Sequence, residues 1–168
     1  MTRARFEYVF DLADLHQPID PVNLNKFIWR NPSPSDAQAL AALMLDSYRG
    51  TIDYDGETLE DSLSEVESYF FGLTDQEWLE CSWLMFSKDE LVSACLIDFW
   101  QKRNAPLVAY VMTSATWKGQ HLASSVVLRS LQSLADKKLD NVLAVITDGN
   151  LPSEKIFTRI GFKKNISE

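Results

Sequence analysis

A chain of 168 residues, 46% of them hydrophobic, is long enough for one domain with a sizeable core, and no low-complexity linker divides it. Sixteen basic residues against twenty-four acidic ones leave −8; residues 50–87 carry ten acidic residues and no lysine or arginine, so the remainder stands at +2. That balance excludes nucleic acid as a partner, because attraction to phosphate supplies most nonspecific affinity there.

Met1 to Phe10 alternates polar and apolar residues and lacks the unbroken apolar stretch of a signal peptide. No apolar run reaches the length of a bilayer span, so a soluble, cytoplasmic protein with no membrane partner is expected. Phe6, Tyr8 and Phe10 share one face of a strand predicted over residues 5–10. Pro18 and Pro21 interrupt it, and we expect an N-terminal extension over 1–24 ahead of a single domain over 25–168. Lys26 to Arg30 reads as a short strand ended by Asn31-Pro32-Ser33-Pro34, where Pro34 at the first helical position and Asp36 near the positive end of the dipole start a helix. Ala37, Leu40, Ala41, Met44 and Tyr48 recur at helical spacing as far as Gly50, and Leu59, Leu63, Val66 and Phe70 repeat the pattern as far as Gly72. Thr51 to Glu57 is the polar connection between these two helices.

Cys81 to Phe86 and Leu91 to Trp100 are apolar runs joined by a polar turn, which predicts an antiparallel hairpin, and Ala105 to Thr113 makes a third strand. Ala123, Val126, Val127, Leu131 and Leu134 form an apolar stripe on the next helix. Asn141 to Thr147 follows as a strand and Pro152 to Ile160 as a helix closed by Gly161. Cys81 and Cys95 lie inside apolar runs, which favours buried thiols over a disulfide. His16 and His121 stand far apart without ligand-spaced neighbours, so no metal is predicted.

The strand ending at Thr113 runs into Lys118-Gly119-Gln120-His121-Leu122-Ala123 and a helix, a pattern that gathers unpaired N–H groups suited to a phosphate. Together with Asn150-Leu151-Pro152-Ser153, Ile156-Phe157 and Gly161-Phe162, this hexapeptide resembles the two landmarks of the GCN5-related N-acetyltransferase (GNAT) superfamily. Lys118 stands where the family has Arg or Gln, His121 replaces the first Gly, and Ala123 fills the last small position. The resemblance covers about Phe27 to Phe162. It implies an α/β (α+β) fold: a mixed, mostly antiparallel sheet flanked by about four helices, with a V-shaped splay between two parallel strands, 108–113 and 143–147. Only six residues follow Phe162, where family members usually continue into a further strand, and the N-terminal strand is expected to cover the edge so exposed.

The resemblance implies an acetyl-CoA-dependent N-acetyltransferase in which a neutral primary amine attacks the thioester directly within a ternary complex. Acetyl-CoA is the implied cosubstrate. The main chain of Val111, Met112 and Thr113 would bind the pantetheine arm, with the Met112 N–H as oxyanion donor. Gly119, Gln120, His121, Leu122 and Ala123 would cradle the pyrophosphate, His121 turning its side chain outward. Lys118 is the first candidate for the coenzyme A phosphates. Asn150 would bond the pantetheine with Ser153 nearby, and Asn150 also reads as a plain helix cap. Phe157 stands where many members have the tyrosine that protonates the leaving thiolate. For the general base, Asp98 and Tyr110 are the candidates; Asp98 reads equally as a strand end in solvent and Tyr110 as core. The acidic segment over 50–87 points to a cationic acceptor, or else is an ordinary solvated face. Edge strands in the family often pair between subunits, which implies a homodimer. The competing reading is a module of the same fold that binds acyl-CoA without turnover.

Overall fold

The computed structural model describes residues 2–16 and 26–166 of the chain. Seven strands form one sheet: β1 (Arg5–Asp11), β2 (Ile28–Arg30), β3 (Trp83–Ser87), β4 (Glu90–Trp100), β5 (Ala105–Thr113), β6 (Asn141–Thr147) and β7 (Lys163–Lys164). Their order across the sheet is β2-β3-β4-β5-β6-β1-β7. All neighbours run antiparallel except β5 and β6, which are parallel. The helices are α1 (Ala37–Tyr48), α2 (Leu59–Gly72), α3 (Glu77–Glu80), α4 (Leu122–Asp136) and α5 (Leu151–Ile160).

Buried side chains fall into two clusters, one on each face of the sheet. Leu40 and Met44 of α1 and Val66 and Tyr69 of α2 meet Ala94, Leu96 and Met112 on one face. Val126, Leu131 and Leu134 of α4 and Phe157 of α5 meet Cys95, Ile97 and Val108 on the other. A central strand covered on both faces has no solvent side, which explains why β4 is buried without a break from Val92 to Ile97, Ser93 being the one polar residue of that run.

β1 pairs with β6 along its whole length, from Arg5 opposite Thr147 to Asp11 opposite Asn141. Its other side receives β7 at Tyr8 and Val9, and the Asn165 N–H reaches the Glu7 carbonyl at 2.8 Å. The N-terminal strand is therefore inserted between the last two strands rather than laid along an outer edge. The boundary expected between residues 24 and 25, with Pro18 and Pro21 before it, lies outside the described residues.

Several element limits differ from expectation. The strand predicted from Cys81 starts at Trp83, because Cys81 caps the four-residue helix α3 and the Ser82 hydroxyl turns back to the Trp78 carbonyl at 2.7 Å. The strand predicted from Lys26 starts at Ile28. A short 3-10 turn over Pro34–Asp36 precedes α1; there the Asp36 carboxylate takes the Ser33 N–H at 2.8 Å and both terminal nitrogens of Arg30. α2 opens on a reciprocal cap, with the Thr58 N–H donating to Asp61 and the Asp61 N–H to Thr58. α5 starts one residue early, at Leu151, and Gly161 ends it at φ +123°.

Candidate active site

β5 and β6 pair at only two positions, Leu107 with Leu143 and Val108 with Ala144, and then separate. Beyond that point a cleft of about 830 Å³ opens between Ala109–Val111 on one strand and Val145–Thr147 on the other. Tyr48 of α1, Glu65 and Tyr69 of α2, Asp98 of β4, and Asn150, Ser153 and Phe157 at α5 complete its walls. Leu96 faces Tyr110 and Ile97 faces Val108, so Ala109 is an extra residue that breaks the register of β5 against β4.

That register decides which N–H groups face the cleft. Ser114 N–H bonds the Val92 carbonyl on β4 at 2.8 Å. Alternation along an antiparallel ladder turns the N–H of Met112 to β4 as well, and those of Val111 and Thr113 away from it. The Met112 N–H is thus committed to the ladder and is not the donor expected. The Thr113 N–H is taken by the Ser47 hydroxyl at 3.0 Å. Val111 keeps the N–H that faces the gap.

After β5, a 3-10 turn over Ala115–Trp117 leads into the loop before α4. The N–H groups of residues 119–124 meet no protein acceptor among the described residues; the Ser125 N–H is the first to do so, at the His121 carbonyl. Gly119 has φ +84°, and an added Cβ there would meet nothing within 4 Å, so glycine serves the backbone conformation and not packing. His121 caps α4 at φ +64° with its side chain exposed, so the imidazole stays clear of the cleft lining. A residue where the resembled family has glycine thus adopts the left-handed backbone that glycine favours. Leu122 is buried in the core and Ala123 half-buried, while Gln120 is exposed. The Lys118 ammonium donates to the Ser47 carbonyl at 2.6 Å, which anchors it to the end of α1.

Asn150 caps α5, its side-chain oxygen accepting from Ser153 N–H at 3.3 Å while its amide nitrogen donates to Asp53 at 2.7 Å. The polar connection between α1 and α2 therefore crosses to the start of α5. Phe157 is 7% exposed and packs edge-on against Phe162 at 4.9 Å between centroids.

Four carboxylates line the cleft: Asp53, Glu57, Glu65 and Asp98. The ion pairs of the described residues lie elsewhere, at Arg30–Asp36, Arg103–Glu7 and Lys137–Glu80, and Arg5 is the basic residue of the lining. Tyr110 donates to Glu65 at 2.8 Å and meets Tyr69 edge-on. Burial, then the Glu65 carboxylate, pushes the Tyr110 phenol well above its ordinary range. A phenol so held keeps its proton at neutral pH, which removes Tyr110 as a base. Asp98 is half-buried, and burial raises its carboxyl pKa although the Phe99 N–H at 2.7 Å pulls the other way. Of the two candidates, Asp98 has the environment of a proton acceptor. Tyr48 of α1 and Trp100 at the end of β4 also belong to the lining.

The two thiols stand apart from this site. Cys81 and Cys95 are free and buried, with burial pushing them up to about 11 and about 12. Among the described residues no group of three or more His, Cys, Asp or Glu could hold a metal ion. No described helix is long and apolar enough to cross a membrane.

Residues 26–163 match the family model described as an acetyltransferase (GNAT) domain. No curated protein matches the chain. A GCN5-related N-acetyltransferase from Sphaerobacter thermophilus is similar in structure, with TM-score 0.71 and 16% identity, over 97% of this chain and 49% of that one. The PaiA N-acetyltransferase of Thermoplasma acidophilum, solved with coenzyme A, gives 0.69 and 12% over 84% and 92%. A predicted acetyltransferase from Clostridium acetobutylicum, solved with acetyl-CoA, gives 0.59 and 12% over 84% and 93%. At such identities the likeness is one of fold.

Proposed function

The chain belongs to the acetyltransferase (GNAT) family, and on that premise we propose that it transfers an acetyl group from acetyl-CoA to a cationic primary amine by direct attack within a ternary complex. The observation that carries this reading is the cleft where β5 and β6 part, lined by Val111 on one strand and by four carboxylates that belong to no ion pair among the described residues.

The residues present fit the cosubstrate. The free N–H groups of residues 119–124, at a glycine and a helix start, would hold its diphosphate. Asn150 and Ser153 lie on the cleft wall and would hold the pantetheine arm. When bound, the thioester supplies an electrophilic carbonyl and a thiolate leaving group. Val111 contributes an N–H free to stabilise negative charge developing on oxygen. The attacking nitrogen, in its neutral form, bonds to the acetyl carbon and sheds one proton to Asp98, while the carbon–sulfur bond breaks and coenzyme A leaves as a thiolate that takes its proton from solvent. A thiol with a reference pKa of about 8.5 departs at neutral pH without a strong acid, so Phe157 is compatible with turnover.

Carboxylates that belong to no ion pair among the described residues share the cleft lining with the rings of Tyr48, Tyr54, Tyr69 and Trp100, which supports a cationic acceptor, since both charge and ring faces attract ammonium groups. Thiol release measured over a panel of amines tests this. Polyamines, aminoglycosides or lysine side chains should react, with kcat/KM falling as salt is added, and a protein that acetylates only neutral or acidic amines would end the cationic reading.

One observation favours a second reading. The position of the usual acid is a buried phenylalanine packed on another, which suits a module that binds acyl-CoA without turnover. Acetyl-CoA would then raise the melting temperature, by about 2.7 kcal/mol of stability at a hundredfold excess over Kd, yet no amine would release thiol.

A further inference from the structure

The end of α1 holds the segment between β5 and α4 at several consecutive points. The Ser47 hydroxyl, on a residue 6% exposed, accepts the Thr113 N–H at 3.0 Å. One oxygen of Asp46 accepts both the Ala115 N–H at 2.8 Å and the Ser114 hydroxyl at 3.1 Å. Asp46 thereby caps, from a different helix, the 3-10 turn whose own leading residue, Ser114, makes no side-chain cap. The Ser47 carbonyl takes the Lys118 ammonium at 2.6 Å, a cation placed where the helix dipole is negative.

These contacts end where the free N–H groups of residues 119–124 begin. Trp117 against Phe27 and Leu122 in the core hold the two ends of the loop, but its tip has no such support: Gln120 and His121 are exposed, and an added Cβ at Gly119 would meet nothing within 4 Å. We infer that Asp46 and Ser47 are positioning residues for acyl-CoA: they set the orientation of the anion-binding loop, and Ser47, by occupying the Thr113 N–H, leaves Val111 as the donor of β5 that faces the cleft. The inference rests on the acyl-CoA reading of that loop. A preorganised donor row loses affinity steeply when its members swing out of line, since the entropy of ordering must then be met on binding.

Asp46→Ala, Asp46→Asn and Ser47→Ala separate this role from a structural one. Both loop donors meet the same Asp46 oxygen, so an amide oxygen can replace it. Asp46→Ala and Ser47→Ala should each raise KM for acetyl-CoA on the order of tenfold and reduce the thermal shift that coenzyme A induces. KM for the amine should stay within about twofold, and Asp46→Asn should recover most of the loss. The inference is overturned if acetyl-CoA and amine KM rise together, if Asp46→Asn is as impaired as Asp46→Ala, or if only the unliganded melting temperature falls. If coenzyme A does not stabilise even the unaltered protein, the acyl-CoA reading itself fails, and this inference with it.

Discussion

Replacing Asp98 by asparagine removes a charge without changing shape, and the structure predicts opposite effects on rate and on stability. The amide oxygen can still accept the Phe99 N–H that Asp98 accepts at 2.7 Å, so the end of β4 should keep its geometry. Loss of a positioned base lowers a rate by about 10²–10⁴-fold, equivalent to about 2.7–5.4 kcal/mol of barrier. Burial holds the Asp98 pKa in the folded state above its unfolded value. Its contribution to stability is therefore full below the unfolded pKa of about 3.9 and is lost as pH rises through the folded value. At pH 7 the ionised carboxylate works against folding, and asparagine relieves it. Thiol release at saturating substrates should show the fall in kcat. Thermal melts should show the variant above the parent at neutral pH and level with it in acid. An unchanged kcat would refute the role as base, and a melting temperature below that of the parent at pH 7 would refute the electrostatic account.

Phe157→Tyr places a phenol on the cleft wall beside Phe162 and should raise kcat by up to about tenfold; a thiolate needs little help in leaving, and an unchanged or lower kcat would show that the ring does not reach the reacting atoms. Gly161→Ala combines a φ of +123° with a Cβ only 3.1 Å from the Phe10 ring, so denaturant melts should show a loss of about 2–4 kcal/mol. His121→Gly relieves a left-handed cap and should stabilise the protein by about 0.5–1 kcal/mol with coenzyme A binding retained, as thermal shift would report. Burial raises the phenol pKa of Tyr48, Tyr69 and Tyr110 and the thiol pKa of Cys81 and Cys95. Stability from these groups is full below their unfolded values, about 8.5 for thiols and 10 for phenols, and declines above them, so the tyrosinate absorbance of these three phenols should appear only as the protein unfolds in alkali.

Periodicity located α1, α2, α4 and most strands, because amphipathic repeats reflect a single buried face. It missed α3, whose four residues complete barely one turn. It also started a strand at Cys81, since buried residues at a helix end and in a strand are equally apolar. The loop at Gly119 and the cap at Asn150 were legible from their residue types, whereas the anchoring of Lys118 on Ser47 was not. The backbone N–H proposed as oxyanion donor depends on a parity. One extra residue at Ala109 and the pairing of Ser114 with Val92 decide that Val111, not Met112, faces the gap, and no pattern in β5 records that choice.

What this sequence determined alone is the order of its elements, the small-residue loop that opens α4 and the concentration of negative charge between residues 50 and 87, because each follows from interactions within a few positions along the chain. Tertiary structure decided the rest: the insertion of β1 between β6 and β7, the gathering of Asp53, Glu65 and Asp98 around one cleft, and the hold of α1 on the loop about seventy residues downstream. Those arrangements rest on hydrogen bonds and burial between segments that meet only once the sheet has formed, so no local stretch of residues encodes them.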